Sequence, residues 1–239
     1  MNMLNRNYLL TQITQRYTLP LSGERDYLYA HLHAAGLDAG FLAAIIDSFE
    51  ENSFNAAEFA AFDIEMIVDY IQHTHVLYLQ KTLPELEQSI FLLHDYYEEG
   101  HPLLRQLHGF FHDYYQDLTT HVREEEDKLL PYIALLRKAG HTQRSFSAFI
   151  SSFGNYSVRK FLTEHHDTED ELAEIRRIIH QYTPPPTNQS LYRILLLQLQ
   201  TFEQDLHVHA HMEEEVLIPK ALELEEALIA GIEQAGKHN

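Results

Sequence analysis

The sequence predicts an all-α protein: an up-down-up-down four-helix bundle with an additional helical segment at its amino terminus. Three observations lead there. Apolar residues recur at three- and four-residue spacing along most of the chain, the 9 glycines and 8 prolines gather at a few places, and one polar phrase is written twice on long helical stretches. With 239 residues, 45% of them hydrophobic, one main core is expected. The division reads as 1–61, an amino-terminal helical segment of open role, and 62–239, the bundle with a tail helix.

In order along the chain, short helices are expected in 4–17, 24–35, 37–51 and 55–60. Their amphipathic spacing, as in SGERDYLYAHLHAAGLDAGFLAAIIDSFEENSF, carries no chemical motif and points to packing or partner contact. A first long helix runs from Ile64 to Tyr97, where Glu98-Glu99-Gly100-His101-Pro102 gives a stop, a turn and a new start. The second runs from Pro102 to about Pro131, with a distorted or restarted piece to Ala139 before Gly140. Residues 145–154 read as a short apolar helix or connector. A third helix covers about 155–182 and ends at Thr183-Pro184-Pro185-Pro186-Thr187-Asn188. The fourth covers Ser190 to about Leu217, with a tail helix near 220–234. The interior of such a bundle is a place where facing side chains hold metals.

Composition narrows the chemistry. There is no cysteine, which removes disulfides, thiolate-bound zinc, cysteine-held iron–sulfur clusters and thiol catalysis. The formal net charge of -19 opposes binding to nucleic acid and to anionic membranes. Neither a secretory leader nor a membrane-length apolar run is legible, so the expected location is the cytoplasm. Seventeen histidines are many, but His31, His33, His108, His112, His141 and His180 follow no spacing pattern and read as ordinary polar side chains.

The duplicated phrase is DLTTHVREEEDKLLP at 117–131 and DLHVHAHMEEEVLIP at 205–219, a separation of 88. It pairs His121 with Glu125 and His209 with Glu213, each four apart and therefore on one helical face. Two such pairs suggest a dinuclear site. Counting helical rise locates their partners: His121 lies roughly 30 Å from the 98–102 turn, and an equal distance back along the first helix reaches His73 and His75. His75 is preferred, and His94 and His101 sit too near the turn. From the 183–187 turn, the matching level on the third helix holds His165 and His166. Repeat symmetry selects His165, because His75 to His121 spans 46 residues and His165 to His209 spans 44. The candidate metal ligands are His75, His121, Glu125, His165, His209 and Glu213.

Imidazoles with two carboxylates suit iron or manganese, with zinc and copper chemically open, and the glutamates are able to bridge two ions. The order His-x-x-x-Glu differs from the Glu-x-x-His of ferritin-type sites. The flanking Glu124, Glu126, Asp127, Glu214 and Glu215 read as a solvated acidic face. Tyr78, Phe110, Phe111, Tyr114 and Tyr115 read as core.

These phrases, with LPEL at 83–86, HPLL at 101–104 and Glu164-His165, resemble the hemerythrin-like domain of the repair-of-iron-centres family over about residues 62–225. The resemblance implies a four-helix bundle holding two non-haem iron ions, bridged by an oxo or hydroxo group, through His121 with Glu125, His209 with Glu213, and His165. On the first helix the family often places its histidine one residue later, where this chain has Val76. Its small cysteine-containing amino-terminal domain is replaced here by a cysteine-free segment.

The implied function is restoration of iron–sulfur clusters damaged by nitric oxide or oxidants, with damaged iron–sulfur proteins as clients and iron as the delivered species. Small diatomic molecules, NO and O2, are the implied ligands. Two other classes share the same ligand set: a dioxygen- or nitric-oxide-binding sensor or carrier, and a nitric oxide or peroxide reductase. Neither nucleic acid nor membrane is expected as a partner, and oligomeric state is open.

Overall fold

The computed structural model describes residues 13–17, 37–51, 53–97, 102–139, 156–164, 177 and 189–236. Among these the regular elements are helical, with no strand. After a helical turn at 13–16 come α1 (Ala39–Glu51), α2 (Ala56–Phe59), α3 (Ile64–Leu77), α4 (Leu83–Tyr97), α5 (Pro102–Glu124), α6 (Leu130–Ala139), α7 (Val158–Glu164), α8 (Ser190–Met212) and α9 (Ile218–Gly236). Three π-helical turns, Tyr78–Thr82, Glu125–Leu129 and Glu213–Leu217, join α3 to α4, α5 to α6 and α8 to α9. The result is three continuous rods, 64–97, 102–139 and 190–236. No helix among the described residues is long and apolar enough to cross a membrane.

The first rod has the expected limits. The second reaches Ala139 as expected, its distortion being the π turn Glu125–Leu129 just before Pro131, and the third differs from expectation, because helix continues through Pro219 to Gly236 without a break. The reason lies in the π turns. A proline within a helix lacks an N–H and its ring crowds the carbonyl four residues earlier. For Pro84, Pro131 and Pro219 that earlier residue is Gln80, Asp127 and Glu215, each the third residue of a π turn. The ladder is instead closed by five-residue bonds, with Leu83 N–H donating to Tyr78 O, Leu130 to Glu125 and Ile218 to Glu213. The wider turn accommodates the ring and the rod goes on. Of the expected third helix, Val158–Glu164 is described; the 24–35 and 145–154 helices lie outside the described residues.

Each rod turns an apolar stripe inward. On α5 the buried positions are Leu107, Phe111, Tyr114, Leu118 and Val122, spaced by three or four. The next inward position is Glu125, so a carboxylate stands where the stripe calls for an aliphatic residue. On α8 the stripe Leu195, Leu199, Phe202 and Leu206 likewise leads to His209. On α3 the series Ile67, Ile71 and Thr74 leads to His75.

These interruptions divide the interior. One apolar cluster joins α4, α5 and the first half of α8 through Leu86, Ile90, Phe111, Tyr114 and Phe202. The other joins α1, α2, α3, α6 and α9 through Phe41, Phe59, Ile67, Ile133 and Ala221. His75, Glu125, His209 and Glu213 occupy the level between them. Fully burying each large apolar side chain contributes roughly 1.5–3 kcal/mol, and the two clusters together offset the cost of the polar layer.

The amino-terminal residues belong to the second cluster. Asp38 Oδ1 accepts from the backbone N–H groups of Gly40 at 2.7 Å and Phe41 at 3.0 Å, which starts α1. Phe41 then meets Phe59, Phe62 and Tyr70 edge-on at 5.8, 5.2 and 5.8 Å. Gln204 Nε2 donates to Phe49 O at 2.7 Å and ties α1 to α8. At the far end, Glu225 accepts from Tyr132 Oη and from Val158 N, fastening α7 and α6 to α9.

Candidate metal centre

Where the stripes of α3, α5 and α8 turn polar, five titratable side chains meet. His75 Nε2 lies 3.0 Å from Glu125 Oε2, and His121 Nε2 lies 2.6 Å from Glu125 Oε1, so one carboxylate spans two imidazoles. His209 sets its ring edge-on to His75 at 5.0 Å, and its Nε2 is 3.9 Å from Glu213 Oε2. Two donor groups result, His75/Glu125/His209 and His121/Glu125/Glu213, with the donor atoms of each within 4.8 Å of one another. Glu125 is common to both. His121, with 17% of its side chain exposed, is the member that solvent reaches.

The π turns set this geometry. Glu125 and Glu213 are the first residues of their turns, each following its histidine by four. The same widened backbone that admits the prolines fixes where these carboxylates stand. On the first rod the turn begins at Tyr78, three residues past His75, and the Tyr78 ring meets the His209 ring edge-on at 5.6 Å.

Burial and charge act against each other here. Burial alone would lower the pKa of His75, but Glu125 and Glu126 overcome it and raise it to about 9. His121 is raised as well, burial being outweighed by Glu125. His209 goes the other way, to about 3, first through burial and then through the positive charge of His75. Glu213 is held well above the carboxylate range by burial and by Glu125 beside it.

The donor set fits a cation. His209 Nδ1 is buried without a hydrogen-bond partner, and His75 Nε2 has only the carboxylate beside it. An unpaired buried nitrogen costs about 1–3 kcal/mol, and a cation among these lone pairs would offset that cost and favour the ionised form of Glu213. His75, Glu125 and His209 could hold one ion, and His121, Glu125 and Glu213 a second.

Of the six candidates, five are brought together, and His165 lies outside the described residues. Val76, at the position expected from the family, is 51% exposed. Glu126, expected on the solvated face, instead has its Oε1 2.8 Å from His75 Nδ1, and its Oε2 accepts from Gln72 Nε2 at 3.0 Å. A carboxylate on the second ring nitrogen fixes the tautomer and aim of an imidazole ligand. No sequence signal marks it, because the same pair of acids recurs at Glu213-Glu214, where Glu214 is exposed.

A second feature has no sequence signal. Arg16, from the helical turn at 13–16, is buried beside the centre, where it pairs with Asp205 and donates from Nε to Thr74 Oγ1 at 2.9 Å. Its guanidinium lies 5.2 Å from the Tyr70 ring. Thr74 precedes His75, and Asp205 is one turn before His209. Burial raises the pKa of Asp205, with Arg16 opposing.

A helical bundle with a buried histidine–carboxylate layer defines a metal-binding class of protein. The chain belongs to the hemerythrin HHE cation binding domain family, which it matches over residues 71–221. It is 23% identical over 158 residues to the iron-sulfur cluster repair protein ScdA of Staphylococcus haemolyticus, covering 66% of this chain and 67% of that protein. It is 31% identical over 162 residues to the iron-sulfur cluster repair protein YtfE of Dickeya chrysanthemi, covering 66% and 65%. Against YtfE of Yersinia pseudotuberculosis it is 21% identical over 200 residues, covering 84% and 85%. The family membership agrees with the resemblance stated from the motifs.

Proposed function

We propose that this chain is a non-haem di-iron protein of the cytoplasm that helps to repair damaged iron–sulfur proteins under nitrosative or oxidative stress, by donating iron. The observation that carries the reading is Glu125, one buried carboxylate shared by two donor groups, in a chain whose relatives are named for iron–sulfur cluster repair. The proposed ligands are His75, His121, Glu125, His209 and Glu213, with His165 from the third helix, and residues 1–61 form an added segment beside a bundle of residues 62–239.

When bound, the two ions supply a centre able to take up small molecules such as NO or O2 and to give up iron. The protein's own residues determine how firmly that iron is held. Imidazole and carboxylate ligands hold ferrous ions less tenaciously than thiolates, which favours release. Glu126 aims His75, and Arg16 with Asp205 braces the helices behind His75 and His209. The apolar clusters above and below keep bulk water from the layer, while His121 faces the exposed side.

The test is transfer of iron from the loaded, anaerobic protein to a client whose cluster has been damaged by nitric oxide, followed by recovery of the client's cluster absorption. Glu125→Gln is expected to abolish both the second iron equivalent and the recovery while the chain stays folded. Recovery that is undiminished in Glu125→Gln would overturn the reading. Catalytic consumption of nitric oxide with an electron donor, without iron transfer, would assign the chain to the reductases instead.

A further inference from the structure

The outer side of α8 carries imidazoles that the buried centre does not use. Glu203, His207 and His211 follow one another at four-residue intervals along Ser190–Met212, and Glu215 continues the interval into the π turn Glu213–Leu217. Residues so spaced stand in one row. The two central rings touch, with centroids 4.1 Å apart and planes at 88°. Glu215 Oε1 lies 2.9 Å from His211 Nδ1, and the Phe54 ring stacks on His211 at 5.7 Å and 18°. With Nδ1–H donated to Glu215, the lone pair of His211 is on Nε2, and Phe54 restricts the ring's rotation. The His211 side chain is 31% exposed, whereas His209, two residues away, is 5% exposed and faces the interior.

We propose that His207 and His211 form a second, solvent-reachable site for one divalent transition-metal ion, distinct from the buried centre. Two imidazoles one turn apart on a helix are the donor type that suits zinc, copper, nickel and iron, and the carboxylate on His211 plays the part of an orienting partner. Water completes the coordination, so an ion here exchanges readily. The formal net charge of -19 concentrates cations at the surface. On the iron-donation reading, this site is a landing place for ferrous ion on its way into or out of the interior.

The full chain, loaded with iron in its interior, is titrated with Zn2+ by calorimetry beside H207Q/H211Q and E215A. The wild type is expected to bind one zinc equivalent more than H207Q/H211Q, and E215A to weaken that equivalent by about tenfold. Iron content and helical circular dichroism are expected to stay unchanged. Equal zinc stoichiometry and affinity in the wild type and H207Q/H211Q would overturn the proposal. One equivalent of Cu2+ on the wild type supplies a measurement free of substitutions: its paramagnetic resonance is expected to show coupling to two imidazole nitrogens, and its absence also overturns the site. The titration is repeated in E125Q/E213Q, where the surface equivalent is expected to persist without interior iron. Failure of the buried centre and failure of the surface site are thereby separated.

Discussion

Arg16 and Asp205, 189 residues apart, form an ion pair with no exposed side-chain surface at Arg16 and 4% at Asp205. The pair joins a helical turn outside the family-matched region to the helix that carries His209. Removing one member strands a buried charge, which costs about 3–5 kcal/mol, whereas replacing both by apolar residues removes the desolvation penalty with the attraction. Arg16→Met and Asp205→Leu are each expected to destabilise the metal-free protein by about that amount, and the double substitution by clearly less than their sum. Denaturant unfolding of the four proteins checks the cycle, and additive losses would show that the two side chains do not interact.

Glu126 contacts His75 on the ring nitrogen facing away from Glu125. Glu126→Ala is therefore expected to weaken metal binding by about 10–100-fold without abolishing it. Competition against a coloured chelator measures the change. Glu214→Ala, at the corresponding place in the second phrase but exposed, is expected to leave affinity within about twofold of the original.

Loading the centre should displace protons. In the metal-free protein, His75, with its pKa raised to about 9, carries a proton at neutral pH, and burial beside Glu125 raises Glu213 as well. Ligation needs the His75 proton gone, so metal binding at pH 7 is expected to release at least one proton. Apparent affinity then rises with pH, by about tenfold per unit for that proton, and levels off as pH passes the His75 value. Calorimetry in buffers of different ionisation enthalpy counts the protons, and a count of zero would contradict the assigned protonation.

The π turns admit a more drastic test. Each holds one residue more than an α-helical turn needs, and Lys128, 54% exposed, sits within Glu125–Leu129. Deleting Lys128 is expected to restore α-helical hydrogen bonding while both apolar stripes keep their phase, at the expense of the position of Glu125. Helical circular dichroism and cooperative unfolding should survive, with metal affinity reduced at least about tenfold. Crowding at Pro131 would add a modest loss of stability.

Much of this is legible in the sequence. Periodicity and the Gly-Pro punctuation place the first rod from 64 to 97, and counting helical rise from the turns selects His75 at the level of His121, where the structure also has it. Those signals are local, or need only the rise per residue. The pairing of Arg16 with Asp205 is not legible, because nothing near Arg16 in the chain distinguishes it from a surface cation. Pro131 reads as a distortion or restart because a proline normally interrupts the hydrogen-bond ladder. The three Leu-Pro or Ile-Pro pairs at 83–84, 130–131 and 218–219 instead mark where the ladder widens and continues. Glu126 reads as solvated because its neighbours on the helix are, and only the approach of α3 distinguishes it.

The ionised storey between the two apolar clusters gives this fold a waist. With no ions bound, the halves meet at that height through the contacts of His75 and His121 with Glu125, beside a stranded imidazole nitrogen of His209 and without the apolar packing found on either side, so local opening costs least there. Occupancy rivets the three rods together and raises that cost by mass action. The emptied and filled proteins therefore differ in where they first yield, and amide exchange around Thr74, Val122 and Val208 reads the state of the interior without any reaction being run.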